Sequence, residues 1–151
     1  MKQPLIRAQR PAVILMVEDN LDHAFLAREA FEDARLRVDL YHVERGEACM
    51  AFLRRQPPYQ DAPRPDLILL DIHMPGMDGY EVMEEINRDD ALRSFTVVVL
   101  TTSNDLVDVE RMYKLRCNSF MTKPVEFQEF ANLIRKMAGY WFELVVLPGT
   151  E

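Results

Sequence analysis

A chain of 151 residues, 48% apolar and 28% charged, is long enough to bury one core without disulfide help and has the composition of an ordinary folded domain. Its net charge of −7, from 18 basic and 25 acidic residues, argues against direct binding to nucleic acid or to an anionic membrane surface and leaves room for a hard cation. Cys49 and Cys117 are far apart and lack metal-ligand spacing, so they read as packed thiols, in keeping with a reducing, cytoplasmic setting.

In chain order, residues 1–11, "MKQPLIRAQRP", read as a flexible N-terminal arm. The continuous apolar run 12–17 predicts a strand buried on both faces and is too short for a membrane span. Helical spacing follows, with Asn20 as N-cap and Ala24, Phe25, Ala27, Phe31 and Ala34 on one face. A second strand is expected over 38–43 and a short helix over 46–55. Residues 56–66 hold four prolines and must form an irregular loop. Strand three spans 67–71, and a helix over 80–90 turns Val82, Met83 and Ile86 inward, capped by Asp78. Strand four spans 95–102. The next helix, 105–115, carries a stripe of Leu106, Val109, Met112 and Tyr113. A short strand at 119–122 precedes a long helix, 126–144, with Phe127, Phe130, Ile134, Met137 and Trp141 spaced by three and four.

Strand and helix thus alternate five times. The expected fold is α/β: a doubly wound, five-stranded parallel sheet with helices on both faces. Such sheets carry their sites beyond the carboxyl ends of the strands. Strand one ends at Glu18 and Asp19, strand three at Asp71 and strand four at Thr101; strand five ends just before Lys123. Three carboxylates gathered at one edge repel each other unless a cation sits among them, and oxygen donors alone point to Mg2+. Glu18, Asp19 and Asp71 are the expected metal ligands, with the backbone carbonyl of His73 as a further oxygen. A carboxylate beside a divalent cation, a lysine and a hydroxyl can act as a nucleophile toward phosphorus, with Lys123 and Thr101 taking up phosphoryl oxygens. Gly76 and Gly79 permit the tight turn that follows Asp71. His23 and His42 read as surface or partly packed groups with no partner.

The ordered set "VILMVEDN", "LILLDIHMPGMDGYEV", "VVVLTTSND" and "FMTKP" resembles the receiver domain of bacterial two-component response regulators, over residues 12–138. The resemblance implies the flavodoxin-like strand order 2-1-3-4-5. It implies Asp71 as phosphoacceptor, Glu18 and Asp19 as the magnesium-binding pair, Thr101 and Lys123 as partners of the phosphoryl group, and Phe120 as an aromatic switch moving with Thr101. It also implies a cis Lys123–Pro124 bond and a sensor histidine kinase as phosphoryl donor. On this reading the chain is not an enzyme but a phosphoacceptor whose acyl phosphate decays, and the face made by helix four, strand five and helix five is what changes. Arg116 stands where the family has glycine, at a cost of about 1 kcal/mol if the backbone there is left-handed.

The proline-rich loop and the segment 139–151 are similar to those of single-domain regulators paired with bacterial phytochromes, which implies a bacteriophytochrome as kinase and a homodimer. Tyr140, Trp141, Phe142, Leu144 and Val145 are the expected dimer or partner face, since a terminal segment cannot direct all of them into one core. Two other functions compete: a receiver-like adaptor that is never phosphorylated, and a Mg-dependent phosphatase working through an aspartyl phosphate. The phosphatase reading suffers from His73, which stands where such enzymes need a second aspartate.

Overall fold

Apolar runs pair edge to edge in the computed structural model, which describes residues 11–34 and 37–144. The strands are β1 (Ala12–Val17), β2 (Val38–Val43), β3 (Leu67–Leu70), β4 (Val97–Thr101) and β5 (Ser119–Thr122). They form one parallel sheet in the order β2-β1-β3-β4-β5, as expected. The helices are α1 (Leu21–Asp33), α2 (Gly46–Leu53), α3 (Gly79–Arg88), α4 (Leu106–Lys114) and α5 (Phe127–Gly139). Apart from Pro11, the expected N-terminal arm lies outside the described residues.

Successive side chains of a strand point to opposite faces, and this splits the core in two. Ile14, Met16, Leu67, Leu69, Val98 and Leu100 pack under α1 and α5. Leu15, Val17, Ile68, Leu70, Val97 and Val99 pack under α2, α3 and α4. β3 and β4 are buried throughout, which is why they read as unbroken apolar runs; β2, at the edge, alternates.

Several side chains depart from the expected stripes. Phe25 is exposed: α1 packs through Ala24, Ala27, Ala30 and Phe31, a narrow stripe that Phe25 misses by one position. Leu106 and Tyr113 are also exposed, because α4 sends only Met112 fully into the core. Phe142 departs in the other direction. The last helix changes to a π-helical turn at Tyr140–Leu144, and the shifted register buries Phe142 completely beneath α1 and α5. Phe142 is therefore core and cannot be part of a partner face, whereas Tyr140 is exposed and stacks edge-on against Trp141 at 5.3 Å. Val145 lies outside the described residues.

Arg116 has φ +68°, so the left-handed conformation is real. It is the C′ residue of a Schellman motif: Cys117 N donates to Met112 O (3.1 Å) and Arg116 N to Tyr113 O (3.0 Å). Arg55, at φ +52°, closes α2 in the same way, with Gln56 N donating to Ala51 O. Arg116→Gly is expected to stabilise the protein by about 0.5–1 kcal/mol, the left-handed penalty less the extra freedom of glycine in the unfolded chain. Urea denaturation of the two proteins measures it.

Candidate phosphoacceptor and metal site

Register brings the acidic residues together. Val17 of β1 lies beside Leu70 of β3, so the residues that follow them, Glu18 and Asp71, emerge side by side; Asp71 N donates to Val17 O at 3.1 Å. The pleat then decides which way each side chain turns. Glu18 continues the row of Ile14 and Met16, Asp71 that of Leu67 and Leu69, and Lys123 that of Met121, so all three face the α1/α5 side. Thr101 and Phe120 continue the opposite rows and face α4, with Phe120 packed against that core. One step of the pleat thus separates Asp71 from Thr101 and Phe120.

Glu18, Asp19 and Asp71 each offer an oxygen within 4.8 Å of the others. Asp71 is buried; its Oδ1 accepts from Ile72 N at 2.7 Å and its Oδ2 lies 3.2 Å from Lys123 Nζ. Glu18 is buried too, with Oε2 accepting from Asn20 N (3.1 Å) and Oε1 paired with Lys123. Burial first, and then the charge of Asp71, push the Glu18 carboxyl up to about 7 despite Lys123. One ammonium does not satisfy this anionic cluster. The donor set is all oxygen and three carboxylates share it, which fits a hard divalent cation.

Thr101 is fully buried, and its Oγ1 accepts a long bond from Ser103 N at 3.4 Å. Lys123 is held at its backbone by donation to Thr101 O (2.7 Å). The Lys123–Pro124 bond is trans, against the expectation; among the described residues the cis bond is Pro57–Pro58. With the backbone pinned to β4 and the ammonium pinned to two carboxylates, Lys123 is aimed without the cis isomer. Gly76 uses its conformational freedom, with φ +72°. Gly79 uses its size: a Cβ there would sit 2.6 Å from Asp71 O, so its methyl-free backbone lets α3 start directly against the end of β3. Asp78 caps α3 in a reciprocal box with Glu81, and Asn20 caps α1, both as expected.

Both histidines read as unpaired have partners. His42 Nε2 donates to Glu18 O at 2.7 Å. His23 Nδ1 lies 3.1 Å from Lys123 Nζ. The remaining histidine, His73, is exposed and sits 3.6 Å from Asp108. Asp108 itself is a hub that sequence reading missed. Ser103 Oγ donates to it at 2.6 Å, Tyr80 donates its hydroxyl, and Arg111 lies over the Tyr80 ring at 3.7 Å. The donated bonds hold the Asp108 carboxyl below its ordinary range, while burial and Asp108 raise the Tyr80 hydroxyl. α4, which has one fully buried side chain, is tied by this hub to α3 and to the segment after Thr101. Cys49 and Cys117 are free and buried, their thiols pushed up by burial to about 12 and about 11, so they are inert packing groups.

Residues 14–135 match the model of the response regulator receiver domain. The chain is 38% identical to the response regulator Rcp1 of Synechocystis sp. over 138 residues, 91% of this chain and 94% of that protein. It is 35% identical to the probable methanogenesis regulatory protein FilR2 of Methanothrix harundinacea, over 96% of this chain and 93% of that protein. Among solved structures, the phosphorylated cyanobacterial phytochrome response regulator RcpA superposes with a TM-score of 0.87 at 34% identity, covering 92% of this chain and 99% of that one. The Mn2+-bound form of Rcp1 superposes with a TM-score of 0.85 at 38% identity, covering 92% of this chain and all of that one.

Proposed function

Since the chain belongs to the response regulator receiver domain family, we propose that it accepts a phosphoryl group on Asp71 from a sensor histidine kinase and passes the signal on through a change at α4, β5 and α5. The observation that carries this reading is the meeting of three carboxylate oxygens within 4.8 Å with an ammonium 3.2 Å from Asp71.

In the proposed reaction a carboxylate oxygen of Asp71 attacks the phosphorus of a phosphohistidine. The new P–O bond forms as the P–N bond breaks, and the imidazole keeps the electron pair. Glu18, Asp19, Asp71 and the carbonyl of His73 would hold Mg2+. When bound, the ion supplies neutralisation of the charge on the phosphoryl oxygens. Lys123, already beside Asp71 Oδ2, takes up a phosphoryl oxygen by a charge-assisted hydrogen bond. Thr101 turns its hydroxyl toward the phosphoryl group, and Phe120 moves into the space vacated on the α4 side. The surface reporting the change carries the exposed Leu106, Val107, Tyr113 and Phe127. Water later cleaves the acyl phosphate and restores the carboxylate, so the protein is a timed acceptor rather than an enzyme. As dimer or partner contacts we retain Tyr140, Trp141, Leu144 and Val145. The kinase is taken to be of the phytochrome type, supported by the likeness to RcpA, and the site of action to be the cytoplasm; no helix among the described residues is long and apolar enough to cross a membrane.

Incubation with Mg2+ and acetyl phosphate tests the acceptor reading. Wild type is expected to take up one phosphoryl group, and Asp71→Asn or a chelator to abolish the uptake. Turnover of many phosphate esters would favour the phosphatase, and no labelling the adaptor. Because FilR2 is nearly as similar as Rcp1, the light input needs its own arm: transfer from a purified phytochrome kinase, compared with transfer from a kinase lacking a photosensory module.

A further inference from the structure

The Lys123 ammonium has three N–H donors, and each has one acceptor: Glu18 Oε1, Asp71 Oδ2 and His23 Nδ1. An ammonium accepts nothing, so His23 must present its Nδ1 lone pair and carry its own proton on Nε2. The lysine is almost wholly buried, so a missing third acceptor would leave a charged donor unsatisfied. On the proposed function, Glu18 and Asp71 are drawn toward a cation and one carboxylate oxygen of Asp71 becomes the bridging oxygen of an acyl phosphate. His23 is the partner committed to neither task. Its place is fixed by the start of α1: Asn20 Oδ1 accepts from His23 N at 3.1 Å, and Asn20 N in turn donates to Glu18 Oε2. The carboxylate, the helix cap, the imidazole and the ammonium form a closed circuit.

We propose that His23 is a positioning residue that holds the Lys123 ammonium at the phosphoacceptor through its Nδ1. The proposal rests on the acceptor role of Asp71. Loss of this acceptor lets the lysine rotate out of reach of the phosphoryl group while every residue that would hold the metal is kept.

Three variants decide the matter, each checked by circular dichroism for the wild-type fold: His23→Ala, His23→Asn, whose side-chain oxygen falls near the position of Nδ1, and Asp71→Asn as the blank. His23→Ala is expected to slow labelling of Asp71 by acetyl phosphate about tenfold at saturating Mg2+, and His23→Asn to recover the rate to within about threefold of wild type. An alanine variant as fast as wild type, or an asparagine variant as slow as alanine, overturns the proposal. A second readout does not depend on labelling. Ammonium protons of Lys123 in the unphosphorylated protein are expected to exchange slowly in wild type and His23→Asn and quickly in His23→Ala, as seen by 1H–15N NMR. Equal exchange in all three overturns the proposal even if Asp71 never labels, whereas slow exchange in an unlabelled wild type would count against the acceptor reading alone.

Discussion

Lys123→Met is expected to lower the stability of the ion-free protein by about 3 kcal/mol and to slow phosphorylation of Asp71 by about 10²–10³-fold. The stability effect follows from what remains. Glu18 and Asp71 stay buried and adjacent, and the cation that both of them touch is gone. Removing one member of a buried ion pair costs more than the pair contributes, because the survivors are left uncompensated. The kinetic effect has a separate origin: a charge-assisted donor to the phosphoryl oxygens is missing in the transition state. The two are separable by experiment. Mg2+ is expected to restore most of the stability, since it too is a positive charge among the acids, but little of the rate. Thermal melts with and without Mg2+, beside single-turnover labelling, measure both. If stability and rate recover together, the lysine acts only as a structural counter-ion.

The second large effect is a dependence of stability on pH set by Glu18. Its carboxyl lies near 7 in the folded protein instead of 4.5, chiefly through burial and then through Asp71. Between those values the folded state holds a proton that the unfolded chain has released. The contribution of this group is therefore fully present below pH 4.5 and is lost as pH rises through about 7. The loss is on the order of 3 kcal/mol. Mg2+ binding requires the ionised carboxylate, so the stabilisation given by the ion is expected to run the opposite way and to be larger at pH 8 than at pH 5. Glu18→Gln keeps the volume and removes the titration. Its ion-free stability is expected to lack this fall, and its Mg2+-induced shift in melting temperature to be much reduced. A wild-type profile that rises steadily from pH 4.5 to 7 in the absence of ions would contradict the account.

Much of this site could be read from sequence because a parallel sheet does the gathering. Apolar runs such as "LILL" mark doubly buried strands, and whatever polar residue ends each run must appear at the same edge. Glu18, Asp71, Thr101 and Lys123 were legible for that reason, and the caps Asn20 and Asp78 because capping is local chemistry. Contacts between distant elements were not legible. His23 lies one hundred residues from Lys123, and their meeting depends on where α1 starts relative to the end of β5. A signal existed: a histidine in the first turn of a helix that begins at the functional edge is carried toward that edge. Asp108, Tyr80 and Ser103 gave no comparable sign, since their meeting depends on how α4 leans against α3. Periodicity also misjudged exposure. It identifies an apolar face without saying whether a partner covers it, and Leu106 and Tyr113 lie on such a stripe yet stay exposed. A shift from α- to π-helical winding is invisible to a 3.6-residue pattern, and it moved Phe142 from an expected partner face into the interior.

The proposed function stands on one event, transfer of the phosphoryl group to the carboxylate of Asp71 and to no other side chain. Borohydride reduction of the labelled protein, followed by peptide mapping, tests it most directly, because reduction converts an aspartyl phosphate to homoserine in place. Homoserine is expected at position 71 alone, formed only when Mg2+ and phosphodonor were both present. Homoserine elsewhere, phosphate on a hydroxyl or imidazole, or an unmodified Asp71 under saturating donor would contradict it.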